Sequence, residues 1–220
     1  MSLDSVSIIN LALDRIGQQP IANMGQTTGN GPLAMRQYDK TRRACLSETW
    51  WTFARSETPN GLPLVSNNVW SNWQYAYEYP NDCLIVNYLC NPNLISQVIG
   101  YPYTPAYWND YNRNNPHEIT VALAANNITA TGQKIILSNM EDAILVYTKD
   151  VAESLMTDLF VDYLVSKLAK SFCLRLLPQS PILRDLDSEI TETGALAKRH
   201  SANEDVEPST KKSDFERYRQ

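Results

Sequence analysis

Two histidines, His117 and His200, are the whole imidazole supply of this 220-residue chain. One stands at the start of an expected strand and the other at the end of an expected helix. A histidine-based triad or a multi-histidine metal centre is therefore hard to assemble, and both read as solvent-exposed bystanders. The four cysteines, Cys45, Cys83, Cys90 and Cys173, lack metal-type spacing and lie among apolar or strand residues, which makes them buried free thiols. Gly25, Gly29 and Gly31 are not followed by the Lys-Ser/Thr pair that a phosphate loop needs, and neither G-x-S-x-G nor C-x-x-C occurs. Carboxylates are plentiful. Asp158 and Asp162 share a helix face and could act as an acid and base pair, yet acids at that spacing are commonplace, and a glycosidase needs its carboxyls set across a cleft. The expectation is no catalytic residue, no metal and no cofactor.

The helix that must organise these groups runs from Ser154 to Leu177. Met156, Phe160, Leu164, Leu168, Phe172 and Leu176 recur every four residues, and Leu159, Val161, Val165, Ala169 and Cys173 widen the apolar sector. Asp158, Asp162, Ser166 and Lys170 form a narrow polar stripe opposite. Acids near its start and Lys167, Lys170 and Arg175 near its end suit the macrodipole, and Pro178 stops it.

Three other segments have helical period. Ser2 or Asp4 caps the first, striped by Val6, Ile9, Leu13 and Ile16 and ended by Gly17. Pro32 opens the second, expected to reach Trp51, with Ala34, Tyr38, Cys45, Leu46 and Trp50 inward and Arg36, Asp39, Lys40, Arg42, Arg43 and Glu48 outward. Lys40, Arg42 and Arg43 make a basic patch that is either a solvated face or a subunit or partner contact. Ser180-Pro181 opens the last, through about His200, with Ile182, Leu183, Leu186, Ile190 and Leu196 inward and Asp185, Asp187, Glu189 and Glu192 outward.

Between Thr52 and Asp150 the period falls to two. Gln74–Tyr79, where Tyr75, Tyr77 and Tyr79 alternate with Gln74, Ala76 and Glu78, and Leu84–Leu89 read as two strands turned at Pro80-Asn81-Asp82; His117–Leu123, Ile128–Thr131, Lys134–Leu137 and Asp142–Lys149 add more. Residues 91–116 read as a long loop. Most of the tyrosines and tryptophans, 12 and 5 in all, lie between Trp70 and Tyr111. They fit a sheet core, a protein interface or a carbohydrate platform.

The fold class is thus α+β: a bundle of about four helices, residues 1–55 plus 151–200, with an inserted small, mainly antiparallel sheet lobe, residues 56–150. Residues 201–220 are too polar to fold alone but end in Phe215, Arg217, Tyr218 and Arg219, the composition of a strap that orders on a partner or of a frayed end. The net charge of −5 argues against nucleic-acid binding through a basic face. No apolar run reaches membrane-spanning length, and MSLDSVSIIN lacks the basic region of a signal peptide, so a cytoplasmic origin is expected.

LALDRIGQQPI, YDKTRRACLSETWWTFA, WQYAYEYPNDCLIV, ILVYTKDV and LFVDYLVSKLAKSF, followed by an acidic final helix, occur in an order that resembles the head-to-tail adaptors of short-tailed bacteriophages, the tail tubular protein A family. The resemblance covers nearly the whole chain. It implies a homo-oligomeric ring, in related viruses usually twelvefold, between the portal and the tail nozzle of the virion, assembled in the host cytoplasm. DNA would pass through the lumen without sequence-specific binding. It also implies that the carboxyl-terminal segment, with Phe215, Arg217, Tyr218 and Arg219, reaches the portal. A virion-associated polysaccharide or peptidoglycan hydrolase using a carboxylate pair, and an unrelated cytoplasmic scaffold, are the alternatives.

Overall fold

The structure, a computed structural model, describes residues 4–65, 73–90, 120–123 and 133–204. Among them are four α-helices and two small antiparallel sheets, so the protein is α+β. The expected loop at 91–116, His117, the strand Ile128–Thr131 and the segment 205–220 lie outside the described residues.

Helix α1 (Ser5–Arg15) is capped by Asp4, whose carboxylate accepts the Ser7 N–H at 2.8 Å, and Gly17 ends it at a φ of 65°. Helix α2 (Gly31–Leu46) stops five residues before the expected end. The chain is extended at Trp51, so Trp51 and not Trp50 turns inward. Its indole donates to the Cys45 carbonyl at 2.9 Å and packs edge-on against Phe160 at 4.8 Å, while Trp50 stays 37% exposed.

Helix α3 (Asp158–Leu176) starts at Thr157, whose hydroxyl caps the Phe160 N–H. Phe160, Leu164, Leu168 and Phe172 are fully buried, as their four-residue recurrence requires. Along the polar stripe, Asp158 and Asp162 are exposed and Lys170 is half-buried. Ser166 is fully buried, with its hydroxyl on the Asp162 carbonyl at 2.8 Å, because α1 and helix α4 (Ile182–Glu204) close over that side. Lys170 reaches Asp187 of α4 at 2.5 Å, and Arg15 of α1 holds both Asp162 and Glu189.

The buried line of α4 includes Leu186, with Ile182, Leu183 and Ile190 half-buried against the core as expected, and departs from expectation at Leu196. It runs through Leu186, Gly194, Ala197 and Ser201, and Leu196 is 51% exposed. Gly194 sets the phase: a β-carbon there would lie 2.8 Å from the Tyr163 ring, so the missing side chain lets the two helices approach. Gly194→Ala, which on an exposed helix stabilises by up to about 1 kcal/mol, is expected to lower the melting temperature, because the Tyr163 ring is buried and tied through its hydroxyl to Glu48. A rise in the melting curve would show that the helices separate freely. Helix α4 also runs past His200, taking in the first four residues of the expected tail. There Ser201 is buried: its hydroxyl accepts the Thr52 N–H at 2.8 Å and donates to the Trp50 carbonyl at 3.3 Å, and its carbonyl accepts the Thr52 hydroxyl at 2.7 Å.

The strands form two sheets instead of one. Strands β1 (Arg55–Glu57), β6 (Ile144–Lys149) and β3 (Cys83–Cys90) make the first, with β6 central; β2 (Tyr75–Glu78), β5 (Lys134–Ser138) and β4 (Thr120–Leu123) make the second, with β5 central. The expected β2–β3 hairpin is absent. Pro80-Asn81-Asp82 turns a corner from one sheet to the other, and the β5–β6 connection does the same. Both crossings serve one core, in which Tyr77 and Ile136 of the second sheet meet Leu89, Leu145 and Tyr147 of the first. The Tyr77 hydroxyl, deep in that core, donates to the Met140 carbonyl at 2.5 Å. A separate apolar core joins residues between Ile8 and Ala54 to residues between Val151 and Ala197.

Candidate functional site

Three polar clusters hold the helical part together, one tying α2 to the segment after β6 and two tying helices to each other. In the first, Arg42 sits with its side chain only 12% exposed, its guanidinium donating to the Val151 carbonyl at 2.8 Å and lying 2.7 Å from Asp150 Oδ1. That contact is an ion pair without a hydrogen bond, since Arg42 Nε and Asp150 Oδ1 both lack one. Tyr38, one turn earlier on α2, donates to Glu153 at 2.9 Å; burial first, and Glu153 second, push its hydroxyl pKa well above the usual tyrosine range. The expected Lys40–Arg42–Arg43 patch is therefore split. Arg42 faces inward, because Asp150 and Val151, where the chain re-enters the helical part from β6, lie against it. Lys40 is exposed, and Arg43 is 58% exposed with Asp150 at 3.7 Å.

In the second cluster, Glu48 accepts the Tyr163 hydroxyl and lies 2.8 Å from Lys167 and 3.6 Å from Lys198. Burial raises its carboxyl pKa, but the Lys167 and Tyr163 bonds and the two lysine charges together outweigh that and hold it low. Tyr163 is pushed up to about 12, by burial first and then by the bond to Glu48. Both ammonium groups also lie over the Tyr163 ring, at 5.3 and 5.8 Å. Cys45 borders this cluster; burial, followed by Glu48, pushes its thiol up to about 12, which keeps it protonated and unreactive. The third cluster is Arg15 with Asp162, Ser166 and Glu189.

These are structural clamps, between helices or between α2 and residues 150–153. Of the carboxylate pair, Asp162 is drawn to Arg15 at 3.6 Å. Cys45, Cys83 and Cys173 are buried free thiols; the side chain of Cys90 lies outside the described residues. His200 is exposed and 3.3 Å from Glu204. Among the described residues no group of three or more His, Cys, Asp and Glu side chains could hold a metal ion, and no helix is long and apolar enough to cross a membrane. Phe215, Arg217, Tyr218 and Arg219 lie outside the described residues.

Sequence reading missed Glu48, Asp150, Glu153 and Arg15 as partners. Tyr38 carried the one available signal, a phenol in an otherwise apolar stripe that needs a buried acceptor. A scan against protein-family models finds no match for this chain, and a search of curated proteins finds none.

Proposed function

We propose that the chain is a structural head-to-tail adaptor of a short-tailed phage virion, one subunit of a ring between the portal and the tail nozzle. The observation that carries this reading is the ordered series LALDRIGQQPI, YDKTRRACLSETWWTFA, WQYAYEYPNDCLIV, ILVYTKDV and LFVDYLVSKLAKSF, whose order resembles that of the tail tubular protein A family. The packing supports it: a ring subunit must keep its shape while pulled from both ends, and α3 is fixed to α1, α2 and α4 by a common apolar core and by clamps. The net charge of −5 suits a lumen that lets DNA slide and does not retain it. Portal docking falls to Phe215, Arg217, Tyr218 and Arg219, residue types that dominate interface energies when they enter a pocket. Subunit contact falls to the exposed Lys40 and Arg43 and no longer to Arg42.

Portal rings of the same virus, mixed with the full chain and with a chain ending at Glu204, test the reading. A cut at Glu204 spares Ser201 and its bonds to Trp50 and Thr52. The shortened chain should keep its melting temperature and dock on the order of tenfold or more weakly. Phe215→Ala with Tyr218→Ala should dock as weakly in moderate salt although Arg217 and Arg219 remain. Full-length chain that adds no ring to portals would overturn the adaptor reading; a shortened chain that docks like the whole would remove the tail from it.

A further inference from the structure

Two helix faces carry charges that mostly lack an ion-pair partner among the described residues. On α2, Arg36 donates only to the Pro32 carbonyl of its own helix at 3.1 Å, and Lys40 meets no carboxylate among the described residues. Arg43 completes this face, loosely held at 3.7 Å by Asp150. The one acid beside them, Asp39, is turned toward Arg42 at 3.8 Å. On α4, Asp187 and Glu189 are taken by Lys170 and Arg15, but Asp185 and Glu192 meet no cation among the described residues. The α4 face also carries one exposed apolar side chain, Leu196, in line with Asp185 and Glu192 and 51% exposed.

The two rows match in length. Arg36 and Arg43 are seven residues apart, as are Asp185 and Glu192, and seven residues span about 10.5 Å of helix. If the helices run antiparallel, Arg36 meets Glu192, Arg43 meets Asp185 and Lys40 lies between. Within one molecule this cannot happen, because α2 and α4 each pack on α3 and present these faces away from it.

We propose that the Arg36–Lys40–Arg43 face of one copy docks on the Asp185–Glu192 face of the next. Two different patches in contact make a heterologous joint, which repeats from copy to copy and gives a ring when the rotation between copies closes. The joint deepens the adaptor reading and rests on it: that reading needs a ring, and these faces specify how neighbours meet. Opposite charges set the register and the sense of the helices.

Charge reversal tests it. Arg36→Glu/Lys40→Glu makes both faces acidic, and Asp185→Lys/Glu192→Lys makes both basic, so each variant alone should fold normally by circular dichroism yet associate on the order of a hundredfold more weakly in sedimentation. An equimolar mixture restores every joint and should form rings in which the two variants strictly alternate. Zero-length carbodiimide coupling of mixed light and isotope-labelled wild-type protein should join Lys40 to Asp185 or Glu192 between copies. If either variant alone forms rings like the wild type, or the mixture forms none, this joint is wrong while the ring reading stands. If the mixture stops at dimers, the two faces meet in a closed pair and the repeating joint is wrong. Wild-type protein that forms no oligomer, free or on portal rings, removes the ring reading and the joint together.

Discussion

Leu164→Asp is expected to leave the protein insoluble. Leu164 lies midway along α3, fully buried in the helical core beside Phe160, Val161 and Leu168. Truncating such a leucine to alanine costs about 2–5 kcal/mol through lost transfer energy and the cavity left behind. Aspartate adds a carboxyl with no partner on that side, since the cations that reach α3, Arg15 and Lys167, are already engaged by Asp162, Glu189 and Glu48. An uncompensated buried carboxyl adds several kcal/mol more, so the total approaches the whole stability of a domain, roughly 5–15 kcal/mol. Leu174→Asp is the control on the same helix: that side chain is 51% exposed, and the change should cost no more than about 0.5 kcal/mol. The two variants are compared by soluble yield and thermal melting. A soluble Leu164→Asp protein that melts like the wild type would mean that the interior of α3 has been assigned to the wrong face.

The contrast between those two leucines also shows what the sequence makes legible. Strict recurrence at Phe160, Leu164, Leu168 and Phe172 specifies a buried helix face without reference to anything else in the chain, and Asp4, Gly17 and Pro32 mark their helix ends through local backbone chemistry alone. What failed to show depends on distant partners. Ser166 looks like part of a solvent stripe until α4 covers it. Arg42 looks like a surface charge until residues 150–151 return beside it, over a hundred positions later. Leu196 is the more apolar neighbour, yet Ala197 is buried, because Gly194 makes close approach the better solution and close approach needs small side chains. The β2–β3 turn carries the residues of a hairpin, but turn chemistry does not say whether the second strand pairs with the first or crosses to another sheet.

Asp150→Ala, a change of one partly exposed side chain, is expected to destabilise nearly as much as a core truncation. It leaves the Arg42 guanidinium 12% exposed, with the Val151 carbonyl at 2.8 Å and only the surface carboxylate of Asp39, 3.8 Å away and 74% exposed, as a counter-charge. Breaking a buried pair by removing one partner costs about 3–5 kcal/mol; because Asp150 is 26% exposed, water screens part of the loss and about 2–4 kcal/mol is the better figure. For a chain of this size that lowers the melting temperature by roughly 5–15 °C. The charge, and not the side-chain volume, is the cause, so Arg42→Met combined with Asp150→Ala should recover most of the loss by removing the stranded cation and keeping its apolar stem. The pair itself adds little to stability over such a replacement, since Arg42 Nε and Asp150 Oδ1 lack hydrogen bonds. Its value is positional: with the Tyr38–Glu153 bond it fastens α2 to the segment by which the chain leaves β6 and approaches α3. Hydrogen exchange at residues 150–153 should therefore rise in Asp150→Ala more than global destabilisation explains. A double variant no more stable than Asp150→Ala would show that Arg42 is not stranded by the single change, and that the segment after β6 is held by its apolar contacts through Val151 and Met156 instead.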